Sequence, residues 1–389
     1  MTSADGPAQS ADAMVEPTKV EPTKVEPAAV EPAAVEPAAV EPAAVEPATS
    51  TSSAAASSVE THDEPPASPA LADSHVSRET PGPADQQGAL VDLADESTPL
   101  ASAIAQDVRR RSTLVGAPLP RPTATRVLTV ANQKGGVGKT TSAVNIAAAL
   151  AQSGMRVLVI DLDPQGNAST ALGVDHRSGI DSIYDVLVDG MSMTDVVIES
   201  PTIAGLFCAP STIDLAGAEI ELVSLVAREG RLATALTAYL ADTAYDYVFI
   251  DCPPSLGLLT VNAFVAAREV FIPIQCEYYA LEGLSQLLRN VELIRTHLNP
   301  RLTVSTILLT MFDGRTRLSA QVAEEVREHF PEQTLRTTIP RSVRVSEAPS
   351  FGETVMTYDP LSSGALAYLE AASQIAHRGA ESTTGGARP

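Results

Sequence analysis

Arg126-Val127-Leu128-Thr129-Val130-Ala131 runs directly into Asn132-Gln133-Lys134-Gly135-Gly136-Val137-Gly138-Lys139-Thr140-Thr141. The first six residues are mostly β-branched or apolar, the pattern of a buried strand. Beyond the loop, Ala143 to Ala151 is rich in strong helix formers. Strand, glycine-rich loop, helix is the order that a phosphate-binding loop requires. Its glycines let consecutive N–H groups curl around phosphate oxygens, and the helix N-terminus adds its positive end. In this reading Gly135, Gly136, Val137, Gly138 and Thr141 line a triphosphate, Lys139 reaches its β- and γ-phosphates, and the Thr140 hydroxyl sits on Mg²⁺.

The usual G-x-x-x-x-G-K-[ST] pattern is broken at its first position by Gln133, and a second lysine, Lys134, opens K-G-G-x-G-K-T instead. Six fixed residues of this kind arise by chance in such a chain with probability on the order of 10⁻⁵. Lys134 and Lys139 are also the only lysines after Lys24, every other cation beyond residue 120 being arginine. A compact ammonium at these two places, in a chain that otherwise uses guanidinium, points to a task specific to lysine.

Working outward, Arg156-Val-Leu-Val-Ile160 reads as a second strand, ending in Asp161-Leu162-Asp163-Pro164-Gln165-Gly166-Asn167. Alternate residues of a strand share a face, and in an open α/β sheet the carboxyl end of the strands borders the ligand crevice. A third strand, Tyr245–Ile250, leads into Asp251-Cys252-Pro253-Pro254. A single acid ending an apolar strand suits Mg²⁺, so Asp251 is expected to hold the metal. Cys252 reads as a small buried filler. Further strands are expected at Glu269–Ile274 and Leu302–Leu308, with helices over 281–297 and 316–330. Strands alternating with helices indicate an α/β fold, a doubly wound and mostly parallel sheet of P-loop NTPase type.

Composition divides the chain near residue 120. Residues 1–120 hold 19 acids, 6 bases, 16 prolines and neither Phe nor Tyr. Val-Glu-Pro-x-x repeats seven times between Val15 and Thr49. Such a stretch cannot bury enough apolar surface to offset the entropy of ordering, so a disordered acidic tail is expected over 1–96. A short helix and linker follow over 97–122, then one folded domain over 123–378, then a disordered end over 379–389. Three cysteines without a C-x-x-C pair exclude a disulfide framework and a structural zinc site, and fit a reducing, cytoplasmic compartment. Met1-Thr2-Ser3-Ala4-Asp5 has neither the basic region nor the apolar core of a secretory signal, and no apolar run approaches the roughly 18 residues of a membrane span. A net charge of −22 means that any nucleic-acid surface must be local.

K-G-G-V-G-K-T-T resembles the deviant Walker A motif of the MinD/ParA branch of P-loop ATPases, and Asn132-Gln133 before it is typical of the ParA/Soj partitioning group. Asp161-Leu-Asp-Pro-Gln-Gly-Asn167 is similar to that group's D-x-D-P-Q-G-N segment. Met311-Phe-Asp-Gly-Arg-Thr-Arg317 and Ile339-Pro-Arg-Ser-Val-Arg-Val-Ser-Glu-Ala-Pro349 resemble its arginine-bearing stretches. The resemblance implies a slow ATPase using ATP and Mg²⁺, in which Lys134 crosses to the nucleotide of a second subunit in a homodimer. It gives Asp163 the orientation of the attacking water and leaves Asp161 as a metal-side or structural carboxylate. Pro340 and Ser342 would lie against the adenine, Ser342 standing where the family has Asn. Arg315, Arg341 and Arg344 would contact DNA phosphates without reading sequence, Arg317 being the weaker candidate. A ParB-type partner, nucleoid association, chromosome or plasmid segregation and a polar scaffold protein complete the implied setting. A membrane-cycling relative of the MinD type would need an amphipathic, cationic C-terminal helix, whereas Ile375–Pro389 is mostly small and polar. A cargo-positioning ATPase of the same branch that does not use DNA is the other alternative.

Overall fold

The strands alternate in what they face. In Arg126–Val130 (β1), Leu128 and Val130 point to one side of the sheet and Val127 to the other. The same alternation divides Leu158 and Ile160 from Val157 and Val159, and Val248 and Ile250 from Tyr247 and Phe249. A strand apolar on both faces must be covered on both, which dictates helices above and below a parallel sheet. The computed structural model describes residues 99–384 apart from 117, so the expectations for the acidic repeat tail and for 385–389 lie outside the described residues.

Eight strands form one sheet: β1, Val157–Asp161 (β2), Ile198–Glu199 (β3), Leu206–Ala209 (β4), Tyr247–Asp251 (β5), Glu269–Gln275 (β6), Thr303–Phe312 (β7) and Thr334–Pro340 (β8). Their order is β3-β4-β2-β5-β1-β6-β7-β8, with every neighbouring pair parallel except β3 with β4. The longer helices are Pro99–Gly116 (α1), Lys139–Gln152 (α2), Leu215–Leu222 (α3), Arg231–Asp242 (α4), Leu258–Ala266 (α5), Ala280–His297 (α6), Arg317–His329 (α7) and Ser363–Thr384 (α8). Helices α3 to α7 cover one face, and α2 and α8 cover the other. Eight of the fourteen residues in α2 are apolar and buried, so this helix lies in the core with its N-terminus at the carboxyl end of β1.

The expected elements and the observed ones differ at the margins. β3 and β4 were not expected: β3 is two exposed residues at the sheet edge, and the four-residue β4 is too short to show a period. Helix α8 runs to Thr384, past the expected boundary at 378. Tertiary contacts extend it, because Arg378 donates to the carbonyls of Gln333 and Thr334 and the Arg126 guanidinium reaches the Ile375 carbonyl and packs against Gly379. Helix α1 lies against α8, with Arg110 bridging to Glu370 at 2.5 Å and Leu114 packed on the core.

Candidate nucleotide site

The loop between β1 and α2 is anchored from outside itself. The Asn132 amide donates to the Pro273 carbonyl at 2.8 Å, while its own oxygen accepts the Lys134 N–H at 3.0 Å. The Thr310 hydroxyl, from the end of β7, donates to the Val137 carbonyl at 2.8 Å. Gly136 and Gly138 have φ of 74° and 85°, left-handed values that a side chain at either position would strain. No side chain caps α2, whose N-terminus is the kind of donor array that anions occupy.

The two lysines rest on the chain's own acceptors. Lys139 is only 7% exposed, and its Nζ donates to the Lys134 carbonyl at 3.3 Å. Burial lowers its pKa, opposed by the charges of Asp251, Cys252 and Asp163. The Lys134 Nζ extends the other way, to Glu277 Oε2 at 2.7 Å. Glu277 lies two residues beyond β6, and the sequence reading passed over it. Its position at the carboxyl end of a strand beside β1 was the available signal.

Asp161 and Asp251 end β2 and β5 directly opposite each other in register, and both are fully buried. Asp161 is saturated: Oδ2 accepts the backbone N–H and the hydroxyl of Ser169, each at 2.8 Å, and Oδ1 accepts the Asp163 N–H at 3.2 Å. These bonds tie the turn after β2 to the helical turn Asn167–Ala171, so of its two anticipated roles Asp161 fills the structural one. Asp251 has no hydrogen-bond partner on either oxygen. Burial, and then the charges of Asp161 and Asp163, push its pKa well above the carboxylate range. The Thr140 hydroxyl and Lys139 oppose this, Thr140 lying near but outside hydrogen-bond geometry. A buried carboxylate without donors, next to a loop hydroxyl, is the donor set of a Mg²⁺ site that takes its remaining oxygens from phosphate and water. Asp163 is 9% exposed at the mouth of this group and accepts the Gln165 N–H at 3.0 Å. Cys252 is buried against Thr129, its thiol pushed by burial up to about 12, and is inert.

The structure therefore brings Lys134, Lys139, Thr140, Asp163 and Asp251 together at the carboxyl ends of β1, β2 and β5. Pro340 ends β8, and Ser342 begins the short helix Val343–Glu347, at the same edge of the sheet but three strands away. The arginines Arg315 and Arg344 have different carboxylate partners. Arg315 is 90% exposed and grips Asp313 through Nε and Nη2 at 2.9 and 3.0 Å. That grip, joined by the charge of Arg341, holds the Asp313 carboxyl down to about 2. Arg344 is paired with Glu347 at 3.2 Å and Asp359 at 3.4 Å. Met311, just before Asp313, has a φ of 50°, a strained turn that redirects the chain as β7 ends and that nothing in its residue type announced.

Comparison with known proteins agrees with this geometry. A family model described as an AAA domain matches residues 125–304. The chain is 52% identical over 254 residues to the sporulation initiation inhibitor protein Soj of Bacillus subtilis, an alignment spanning 65% of this chain and 99% of that protein. It is 51% identical over 253 residues to the chromosome partitioning protein ParA of Caulobacter vibrioides, spanning 65% and 94%. A crystal structure described as cobyrinic acid a,c-diamide synthase from Mycobacterium smegmatis, with bound ADP and magnesium, is 38% identical with a TM-score of 0.57, over 67% of this chain and 96% of that one. With about half of the aligned residues shared across nearly the whole of Soj and ParA, the chain belongs to the ParA/Soj family of chromosome-partitioning ATPases.

Proposed function

We propose that the protein is a partition ATPase of the ParA type, which pairs on binding ATP, holds DNA without sequence preference, and hydrolyses ATP when a ParB-type partner triggers it. The observation that carries this reading is Asp251, a buried carboxylate without a hydrogen-bond donor, set between the phosphate loop and Asp163. A charge in that condition is stable only with a cation and ligands delivered from outside the chain.

Lys139 and the N-terminus of α2 bind and orient the triphosphate. Thr140 and Asp251 hold Mg²⁺, which when bound neutralises charge on the phosphoryl oxygens. Asp163, at the mouth of the site with one oxygen fixed by the Gln165 N–H, orients the attacking water. Lys134 reaches the nucleotide of the second subunit, so that ATP joins the two protomers. Arg315, Arg341 and Arg344 contact DNA phosphates, Arg315 and Arg344 exchanging their present carboxylate partners for them, and binding is accordingly salt-dependent. Segregation of ParB-bound DNA follows from cycling between the DNA-bound pair and free protomers, on the nucleoid and with slow intrinsic turnover. A polar scaffold protein is a further partner consistent with the acidic extension.

The MinD-type alternative needs a C-terminal helix free to enter a membrane surface. In α8 the apolar residues Tyr368, Leu369, Ala372 and Ile375 are buried in the core on that side of the sheet, so that face is already occupied. No helix among the described residues is long and apolar enough to cross a membrane. The deciding experiment is ATP turnover alone, with DNA, and with DNA plus the cognate ParB, beside co-sedimentation with DNA and with anionic liposomes. Stimulation that requires both DNA and ParB is expected; ATP-dependent recovery with liposomes but not with DNA would overturn the reading.

A further inference from the structure

Lys134 is the residue on which the proposed subunit pairing depends, and it is already engaged within its own chain. Its Nζ lies 2.7 Å from Glu277 Oε2, with the two side chains 40% and 44% exposed. The acceptor is fixed. The second Glu277 oxygen takes the side-chain amide of Gln275, its N–H donates to the Gln275 carbonyl at 2.8 Å, and its carbonyl takes the Ala280 N–H at 3.0 Å. The carboxylate is thus built into the tight turn between β6 and α6. The lysine is the mobile member, an unbranched stem whose backbone alone is pinned, by Asn132.

We infer that Glu277 is a resting-state counter-ion for Lys134: it keeps the ammonium on its own subunit, and an ATP-bound pair forms only as this ion pair is given up. The inference rests on the proposed reach of Lys134 to the partner nucleotide and adds a threshold to it. The other loop lysine is held in the same condition, Lys139 Nζ resting on the Lys134 carbonyl, so that a triphosphate drawing Lys139 away also removes a contact from the residue that must move. The next two residues, Tyr278 and Tyr279, stand edge to face with ring centroids 5.2 Å apart and are 76% and 66% exposed. A second protomer approaching the mouth of the site would meet those rings on the same turn as the counter-ion. Glu277 is therefore a positioning residue, acting on the equilibrium between single and paired subunits and leaving the chemistry of each site alone.

An exposed ion pair of this kind holds by a factor of about 2–5. Both protomers must release theirs, so the factors multiply in the dimer equilibrium to about 4–25-fold. The test is Glu277→Gln in the full chain; glutamine keeps the shape and can still accept from Gln275. Sedimentation with Mg²⁺ and a non-hydrolysable ATP analogue should show a dimer dissociation constant lowered by about 4–25-fold, with ADP affinity unchanged and less salt dependence in pairing than the native chain shows. An unchanged or raised dissociation constant would overturn the inference. Lys134→Ala separates the two levels. A Lys134→Ala chain that still pairs with ATP refutes the reach to the partner nucleotide itself. Loss of pairing in Lys134→Ala, with Glu277→Gln equal to the native chain, refutes only the counter-ion. Adding Glu277→Gln to Lys134→Ala should restore nothing, because the carboxylate acts through that lysine alone; restored pairing would count against the inference.

Discussion

The two ends of the central strands treat charge in opposite ways. At the amino end, Arg126 of β1 and Glu269 of β6 form a two-pronged pair at 2.8 and 2.6 Å, and the guanidinium also donates to the Ile375 carbonyl of α8. Burial alone would raise the Glu269 pKa, but the bonds from Arg126 more than offset it and hold the carboxyl below its usual range. At the carboxyl end of the same layer, Asp251 is buried with nothing to accept from, and its pKa is driven up. One end is satisfied by the fold and stabilises it. The other is left for a ligand to satisfy, and in an open α/β sheet that is the end where ligands bind.

The largest effect should come from Lys139→Ala at the unsatisfied end. ATP affinity measured by calorimetry should fall by at least about 100-fold, since a charge-assisted contact to the phosphates is lost in a dry site. Next, the two ends should answer oppositely to removal of charge. Arg126→Ala leaves Glu269 buried without its partner and should cost about 3 kcal/mol in denaturant unfolding while ATP binding survives in the folded fraction. Asp251→Asn should instead raise the unfolding free energy of the ligand-free chain by on the order of 1–3 kcal/mol, while abolishing Mg²⁺-dependent turnover. A destabilised Asp251→Asn chain would erase the distinction between the ends.

The pH dependence sharpens the same contrast. The folded-state pKa values of Asp161 and Asp251 lie above their unfolded values, Asp161 by burial up to about 6. Their contribution to stability is full below the unfolded carboxylate range and is lost as pH rises through the folded values. Glu269, with a lowered folded pKa, contributes in the opposite sense: its stability is present above the unfolded value and is lost as pH falls through the folded one. Melting temperature without ligand should therefore decline from pH 5 to pH 8. Mg²⁺ with ATP analogue should flatten that decline, as should Asp251→Asn. The smallest effect expected is that of Arg344→Glu, which sits outside both ends. It should weaken DNA retention by about tenfold or less at low salt, as one phosphate contact predicts, with ATP-dependent pairing intact.

Much of the fold was legible because it is written in contiguous residues. β1, the glycine loop and α2 follow one another without a break, and the helices expected over 281–297 and 316–330 are observed as Ala280–His297 and Arg317–His329. β3 and β4 were not legible, since two and four residues carry no usable period. The site residues could be named one by one, but their relations could not. Asp161 and Asp251 are both single acids ending apolar strands. Ser169, arriving on a helical turn, distinguishes them by giving Asp161 the donors that Asp251 lacks.

By itself, the sequence determined where the backbone turns back on itself around an anion, which strands are covered on both faces, and which two lysines stand out in an arginine-using chain. These follow from steric limits and side-chain period, which act over a few neighbouring residues. Only the tertiary structure decided that Glu277, 143 positions from Lys134, would hold its ammonium, and that Thr310, 173 positions from Val137, would pin the loop. Which charge finds a partner depends on what the sheet order brings beside it, and that order is a property of the whole packed chain.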